Sequence, residues 1–541
     1  MGQVMEAGDK MIISPTVAGC AKRADCAPNG DQALSFHSIL VPGGMFGEQG
    51  KQPESFEDLN LDQLVEAICE PKKEYDLKPY YYTPLGDERQ IRYRQEIFRD
   101  LEKPLVMDNI VSFGEKMSRV KRHMRMLEKL QYEDQKRGWF LESALTYCEA
   151  VEKLQEGLSQ VELISTGLRR FREYLRQYVN SPGFGVLLKE ARSVRQALAG
   201  LRYSIIIHPG RFIVKAYQAE PDYTREIEET FEKFRQGVVK QYVPPPRDGG
   251  GMNHVEAKIL EFVARLFPEP FSRLERFCKQ HYDFMDEVIE RFDREVQFYL
   301  AYLNFVEDFK RGGLPFSYPQ VSTRSKEEQV IEGFDLALAR VLRKEQRPVV
   351  CNDYYLAGAE RVMVVTGPNQ GGKTTFARMF GQLHYLAALG CPVPARKAVL
   401  FLCDRIFTHF QREERVEDLR GRLQDDLVRM RELLSRAGPD SLLVLNEVFS
   451  STTLHDALFL GRSIMKKITE LDCLCVWVTF LEQLSCMGEK IVSMTGTVDP
   501  EDPSIRTFKI LRKPADGLAY ALSIARKHGL TYQQIKDRIS K

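Results

Sequence analysis

No apolar run in this 541-residue chain approaches the roughly 18 residues needed to cross a bilayer. The N-terminal stretch MGQVMEAGDKMIISPTV also lacks the basic-then-apolar order of a secretory signal. The expectation is an intracellular, soluble, cytoplasmic protein with no membrane partner. Repeated CxxC pairs and zinc-spaced Cys/His sets are missing among the eleven cysteines, which fits a reduced compartment. Cys473 and Cys475, two apart in an apolar run, should share one side of a strand and pack there. An excess of charge of one sign is lacking too, with 77 basic against 76 acidic residues and a net charge of +1. Such a sum leaves nucleic acid open as a ligand, because a local basic face matters more than the total. No repeat of roughly 20 to 50 residues stands out, which argues against a solenoid.

What is present is ordinary globular composition in a chain long enough for about two to four domains. Residues 1 to about 35 are polar, without periodicity, and read as a mobile tail within an N-terminal extension, 1–58. From Leu59 apolar residues recur at helical spacing, with Asn60 or Asp62 as a cap for NLDQLVEAICEP. Helical periodicity continues through the 140–180 stretch and is interrupted by YSIIIHPGRFIVKAY, two β-branched runs that read as a hairpin. It resumes at TREIEETFEKFRQGVVKQY, breaks at VPPPRDGGG, and returns from HVEAKILEF to FVEDFKRGG. From about Pro348 the texture is α/β: VMVVTG, VLFL, SLLVLNEV and LCVWVTF read as strands of a sheet covered on both faces. The change of texture falls near PFSYPQVSTRSKEEQ.

GPNQGGKT, residues 367–374, fits G-x-x-x-x-G-K-[ST] with a β run before it and a helix-capable segment after it. In such a loop the glycines let backbone amides turn inward on phosphates, and the following helix N-terminus adds partial positive charge. The candidate ATP-binding residues are Gly367, Pro368, Asn369, Gln370, Gly371, Gly372, Lys373, Thr374 and Thr375. Lys373 should reach the β- and γ-phosphates and Thr374 should ligate Mg²⁺. In SLLVLNEVFSSTT an apolar strand ends in Asn446-Glu447, at the edge where open parallel sheets bind ligands. Glu447 is the candidate catalytic base for the attacking water. Asn446, the second candidate at the metal, can hydrogen-bond a magnesium-bound water but supplies no charge, so Mg²⁺ affinity should fall.

TGPNQGGKTTF, GCPVPARKAVLFLCDRIFTHF, LVLNEVFSSTTLHDALFLG and GLAYALSIARKHGL together resemble the ATPase domain of the MutS family of DNA mismatch-repair proteins. The resemblance is strong over about 350–535 and extends by architecture over the helical 80–330 region. It implies a multidomain protein: a mostly α-helical core and lever domain (59–330) with a small β-containing clamp insertion at about 200–250, then an α/β P-loop, ABC-type ATPase domain (331–541). It also implies a composite ATPase, in which two subunits, here a homodimer, sandwich ATP. Cys351-Asn352-Asp353 resembles the segment that borders the adenine, which adds Asn352 and Asp353 to the ATP-binding set. Thr452, Thr453 and Asp456 would face the partner's nucleotide. Three positions depart from the family pattern: Asn446 replaces an acid, Gly421 replaces the trans-acting serine with Asp426 as the acidic match, and Phe480 replaces a histidine. Loss of one such contact costs roughly 3 kcal/mol of transition-state stabilisation. ATP binding with slow turnover, a weak ATPase, is the resulting expectation.

Family members read mismatches with a phenylalanine and a glutamate at F-x-E, and this chain contains Phe46-Gly47-Glu48. Too few residues precede the helical region for a typical domain of roughly 100 residues, so a Gly-rich turn is the better account. Lys116, Arg119, Lys121, Arg122 and Arg125 crowd one helical segment, and Arg169, Arg170, Arg172 and Arg176 another. Each cluster could neutralise phosphates or form a solvated face. Arg202, His208, Arg211 and Lys215, around the hairpin, are the stronger DNA-contact candidates. The leading reading is a MutS-like ATPase that clamps duplex or branched DNA without a base-reading wedge, with a repair or recombination protein as a further partner. A nucleotide-gated protein scaffold and a generic ABC-type ATPase remain open beside it. The sequence stops at GLTYQQIKDRISK, and no nuclease module is expected.

Overall fold

Apolar residues three and four apart in the N-terminal half become helices that each bury one face. The computed structural model describes residues 36–48, 50–208, 211–218, 252–411, 421–499, 501–502, 505–514 and 530–539. Helices α1 (Phe56–Leu59), α2 (Leu61–Cys69), α3 (Lys78–Tyr81), α4 (Glu88–Leu101), α5 (Pro104–Leu127), α6 (Glu133–Ser159), α7 (Thr166–Val179) and α8 (Pro182–Ala199) come first. A hairpin of β1 (Tyr203–His208) and β2 (Arg211–Ala216) follows, then α9 (His254–Leu266), α10 (Pro268–Gln280) and α11 (Glu287–Arg311). On α5 the buried set is Val106, Ile110, Phe113, Gly114, Met117 and Val120, one stripe that packs along α6. Helix starts are fixed by side chains: Ser165 accepts from the amide of Leu168, Ser181 from that of Phe184, and Asn253 forms a capping box with Glu256. At α2 the expected side-chain cap is absent. Asn60 instead takes a left-handed conformation, φ 55°, that turns the chain from α1 into α2.

Residues 36–48, read above as part of the extension, are docked on the helices. Phe36, Ile39 and Leu40 are buried. The Tyr93 hydroxyl donates to Ser38 O at 2.8 Å, Arg94 Nε to Leu40 O at 2.9 Å and Tyr299 to Ile39 O. Glu295 accepts from Ser38 Oγ and from the Ile39 amide, both at 2.9 Å. Phe46 packs edge-on against Tyr80 and under Arg94, while Glu48 pairs with Arg294 at 2.7 Å. The segments TREIEETFEKFRQGVVKQY and VPPPRDGGG, most of GLAYALSIARKHGL and residues 1–35 lie outside the described residues.

Helices give way to α/β structure after α11. The order is β3 (Gln320–Ser322), β4 (Glu328–Gly333), α12 (Leu336–Lys344), β5 (Asn352–Leu356), β6 (Val362–Thr366), α13 (Lys373–Ala388), β7 (Lys397–Phe401) and β8 (Ile406–Phe410). Then come α14 (Arg422–Arg436), β9 (Leu442–Asn446), α15 (Leu454–Leu471), β10 (Leu474–Val478), β11 (Ile491–Val498), β12 (Arg506–Arg512) and α16 (Tyr532–Ile539). One sheet has the order β12-β11-β6-β10-β9-β8, parallel except for the edge strand β12. Every residue of β6, β9 and β10 is buried, which explains their unbroken apolar runs. Met363, Val365, Val444 and Val476 face the cluster that includes α13, whereas Val364, Leu445, Cys475 and Trp477 face α14 and α15. Cys473 and Cys475 both pack in the second cluster, as their spacing indicated.

The run VLFL does not join that sheet. It forms β7 of a second sheet, β3-β7-β4-β5. Periodicity could not separate the two destinations, since both bury the run. Helix α13 is bonded along its length to the N-terminal third: Arg378 Nε to Asp58 O at 3.0 Å, Gln382 Nε2 to Leu59 O at 2.9 Å, the Tyr385 hydroxyl to Tyr81 O at 2.7 Å, and Arg94 Nη1 to Leu389 O at 2.9 Å. The Leu85 amide also donates to Ala388 O at 2.8 Å.

Candidate nucleotide site and basic surfaces

Backbone geometry explains the glycines between β6 and α13. Gly367 has φ 120°, and a Cβ there would lie 2.8 Å from the Gly496 nitrogen. Gly372 has φ 87° at the N-cap of α13, and a Cβ on Gly371 would meet Pro368 O at 2.9 Å. A side chain at any of these would open the turn. Lys373, only 6 % exposed, folds back so that Nζ donates to Gly367 O at 3.0 Å and Pro368 O at 2.9 Å, with Asn369 Oδ1 3.5 Å away. Burial lowers the pKa of this ammonium, and the nearby Glu447 carboxylate works in the opposite direction. The loop thus gathers a desolvated cation at the N-terminus of a helix, the setting that favours an anion.

Strand β9 delivers its last residue to the same place. The Thr374 hydroxyl donates to Asn446 Oδ1 at 3.0 Å. Glu447 follows with φ 53°, its amide bonded to Val478 O at 2.9 Å, and Phe449 has φ 64° with its ring fully buried. Left-handed residues other than glycine cost of order 1–2 kcal/mol each, so the packing of Val448 and Phe449 holds a turn that directs Glu447 out of the strand. Thr366, just before the loop, carries a buried hydroxyl with no hydrogen-bond partner among the described residues. Sequence reading passed over it because it belongs to the strand. Gln370, at φ 58°, completes the turn, and Thr375 continues α13.

For a magnesium ion the donor set is poor. Thr374 and Asn446 offer two neutral oxygens where a hard dication favours carboxylates. Among the described residues no group of three or more His, Cys, Asp or Glu side chains is placed to hold a metal.

The residues expected near the base are committed within the fold. Asn352 Nδ2 donates to Phe508 O at 3.2 Å and its Oδ1 accepts from the Ile510 amide at 2.8 Å. Asp353 Oδ1 accepts from the Glu332 amide at 2.6 Å. Of the loop expected to face a partner, Thr452 is half-buried, and Thr453 caps α15 by donating to Asp456 Oδ2 at 2.8 Å and accepting from the Asp456 amide at 3.2 Å. Gly421 is the N-cap of α14 and is exposed. Asp426 lies 3.5 Å from Nε2 of the buried His409 on β8 of its own chain. Phe480, at 48 % exposure, stands just beyond β10.

The basic candidates divide sharply. Lys116 pairs with Glu149 at 2.8 Å, and Lys121 with the fully buried Asp293 at 2.6 Å. Arg172 bonds the carbonyls of Leu158 and Val161, Arg169 that of Ser165, and Arg176 pairs with Glu173. Much of both helical clusters therefore holds helices together. In the hairpin, Ser204 pairs with Lys215 and His208 with Arg211. By strand alternation Arg202, Arg211 and Lys215 fall on one face, beside the exposed Ile206 and Ile213, while the side chain of His208 lies outside the described residues. Phe212, on the other face, meets Phe262 of α9 with ring centroids 5.9 Å apart. No helix among the described residues is long and apolar enough to cross a membrane.

Residues 363–539 match the family model of MutS domain V. The chain is 26% identical over 205 residues to the DNA mismatch repair protein MutS of Rickettsia bellii, covering 37% of this chain and 23% of that one. It is 25% identical over 205 residues to the MutS protein of Rickettsia rickettsii, with the same coverage of 37% and 23%. It is also 26% identical over 232 residues to the DNA mismatch repair protein Msh3 of Mus musculus, covering 41% of this chain and 21% of the relative. The matched part spans less than a quarter of the length of each of these proteins.

Proposed function

Through its domain V the chain belongs to the MutS family, and from that premise we propose that it is an ATP-dependent DNA-binding protein of MutS type that binds ATP firmly and hydrolyses it slowly. The observation that carries this reading is the meeting of Thr374 and Asn446 at 3.0 Å, beside the glycine turn that encloses Lys373. That meeting brings the glycine turn after β6, the Lys373 cation and Glu447 after β9 together at one end of the sheet, on two parallel strands with β10 between them.

In the proposed mechanism the amides after Gly367 and the N-terminus of α13 receive the phosphates. Lys373 leaves the carbonyls of Gly367 and Pro368 for the phosphate oxygens, a stronger, charged acceptor. Glu447 orients a water for attack and accepts its proton. Turnover is slow because Asn446 brings no charge, Gly421 no hydroxyl and Phe480 no hydrogen-bond donor. DNA is gripped by the phosphate-facing side of the hairpin, and two copies of the chain close around ATP. Mismatch reading by the Phe46 wedge is not part of this reading, since Phe46 and Glu48 are engaged by Tyr80, Arg94 and Arg294. A scaffold that binds ATP and recruits a protein partner is supported by the same three departures from the family pattern.

Labelled-ATP retention by the wild-type chain and by Lys373→Ala tests the core of the proposal. Equal retention by the two would reject it. Titration with perfect, mismatched and branched duplexes at two salt concentrations tests the DNA arm, and absence of binding even at low salt would remove it.

A further inference from the structure

One cation at the loop belongs to neither the glycine turn nor the strand that carries Glu447. Arg506, the first residue of the edge strand β12, donates from Nε to Asn369 O at 3.3 Å, at the outer bend of the loop. We propose, resting on the nucleotide-binding reading above, that Arg506 is a second phosphate-directed cation, supplied within the same chain, and that it allows ATP to bind without a divalent ion.

Three features support this assignment. The first is position. Asn369, whose carbonyl holds Arg506, also places Oδ1 3.5 Å from Lys373 Nζ, so the two cations flank one residue of the loop. Arg506 is close enough to disfavour the charge on Lys373, an arrangement that an anion between them would relieve.

The second is rigidity. Strand β12 is clamped in register by Asn352, which bonds Phe508 O and the Ile510 amide on either side of residue 509. Phe508 lies 3.7 Å from where a Cβ on Gly372 would be, and Gly496 of the adjoining β11 touches Gly367. Strand β12 therefore lies against the Gly372 end of the loop and β11 against its Gly367 end, and the bond to Asn369 O keeps Arg506 at the loop before any ligand arrives. The other cations of β12 serve elsewhere: Lys509 bonds Cys351 O, and Arg512 pairs with Glu360.

The third is charge. The Thr374–Asn446 pair is neutral, so the place where a dication would sit lacks a carboxylate between those two side chains, while Lys373 and Arg506 both bond to the loop. A guanidinium retains its charge at any working pH and matches phosphate oxygens geometrically.

The test is retention of radiolabelled ATP on filters, in magnesium and in EDTA, by the full chain and its variants. The wild type should bind in EDTA within about threefold of its affinity in magnesium, whereas Arg506→Ala should weaken binding about tenfold in EDTA, the effect of removing one charge-assisted hydrogen bond. Arg506→Lys should recover part of that affinity. Arg512→Ala, on the same strand, should behave as wild type, and circular dichroism melting reports whether each variant is folded. If folded Arg506→Ala binds in EDTA as the wild type does, or if the wild type itself releases ATP in EDTA, the assignment to Arg506 is overturned. Binding that survives Lys373→Ala unchanged is a different result, because it rejects the nucleotide site itself.

Discussion

The hydroxyl of Thr374 and the amide oxygen of Asn446 lie 3.0 Å apart, joining the first turn of α13 to the end of β9 with no carboxylate between them. The neutral amide sets the character of the proposed site. Replacing Asn446 by Asp restores one negative charge without changing side-chain shape. ATP turnover should rise by roughly tenfold or more, and half-maximal activity should need less magnesium. Steady-state hydrolysis across a magnesium series measures both, and an unchanged rate and midpoint would sink the charge argument.

Glu447→Gln keeps the left-handed turn and the amide bond to Val478 O while removing the proposed base. Hydrolysis should fall by about a hundredfold or more, with ATP affinity held within about twofold. Single-turnover kinetics beside equilibrium binding separate the two. A parallel fall in both would mean that the residue holds the turn rather than the water.

The hairpin face offers a salt-dependence test. Changing Arg202, Arg211 and Lys215 together to Ala should weaken DNA binding and flatten the slope of log affinity against log salt by roughly 2 to 3, about one unit for each phosphate no longer neutralised. The same treatment of Arg169, Arg172 and Arg176 should leave that slope nearly unchanged, because those side chains are bonded to Ser165 O, to the carbonyls of Leu158 and Val161, and to Glu173. A flattened slope in the second set and none in the first would move the grip to α7.

Glu295 gives a pH prediction. Burial pushes its carboxyl from 4.5 to about 7, partly opposed by the bonds from Ile39 and Ser38 and by Arg291 and Arg94. A raised pKa means that the folded chain binds the proton more tightly than the unfolded chain does. This contribution is complete below about pH 4.5 and is lost as pH rises through about 7, amounting to about 3 kcal/mol at most. Thermal melting of the wild type between pH 5 and 8 should show that decline, and Glu295→Gln should flatten it. An identical pH profile in the variant would assign the dependence to another group.

Legibility in the sequence followed the distance over which each feature is built. Gly367 to Thr374 could be read directly because the turn, the cation and the hydroxyl are contiguous, and Asn446-Glu447 because an apolar strand marks its own end. Arg506 could not be read, since only the antiparallel pairing of β12 with β11 carries it back to Asn369. Lys121 looked like a ligand for phosphate in one dimension. Its partner Asp293 is on α11, far along the chain, and only packing reveals the pair. Residues 36–48 fell within the extension because their carbonyls are satisfied by distant tyrosines and an arginine that leave no local pattern. Helical stripes survived this limitation because burial of one face repeats every turn, whatever lies opposite.

The bonds that Arg378, Gln382 and Tyr385 make to carbonyls of the N-terminal third, with those at Ala388 and Leu389, leave α13 little freedom to slide or spin. A rod fastened from its middle to its far end passes on a push at its near tip as a tilt of whatever it is fastened to. Movement of the lysine turn would therefore be passed through those bonds towards α4 and, by way of Arg94, to the docked Phe36–Glu48 segment.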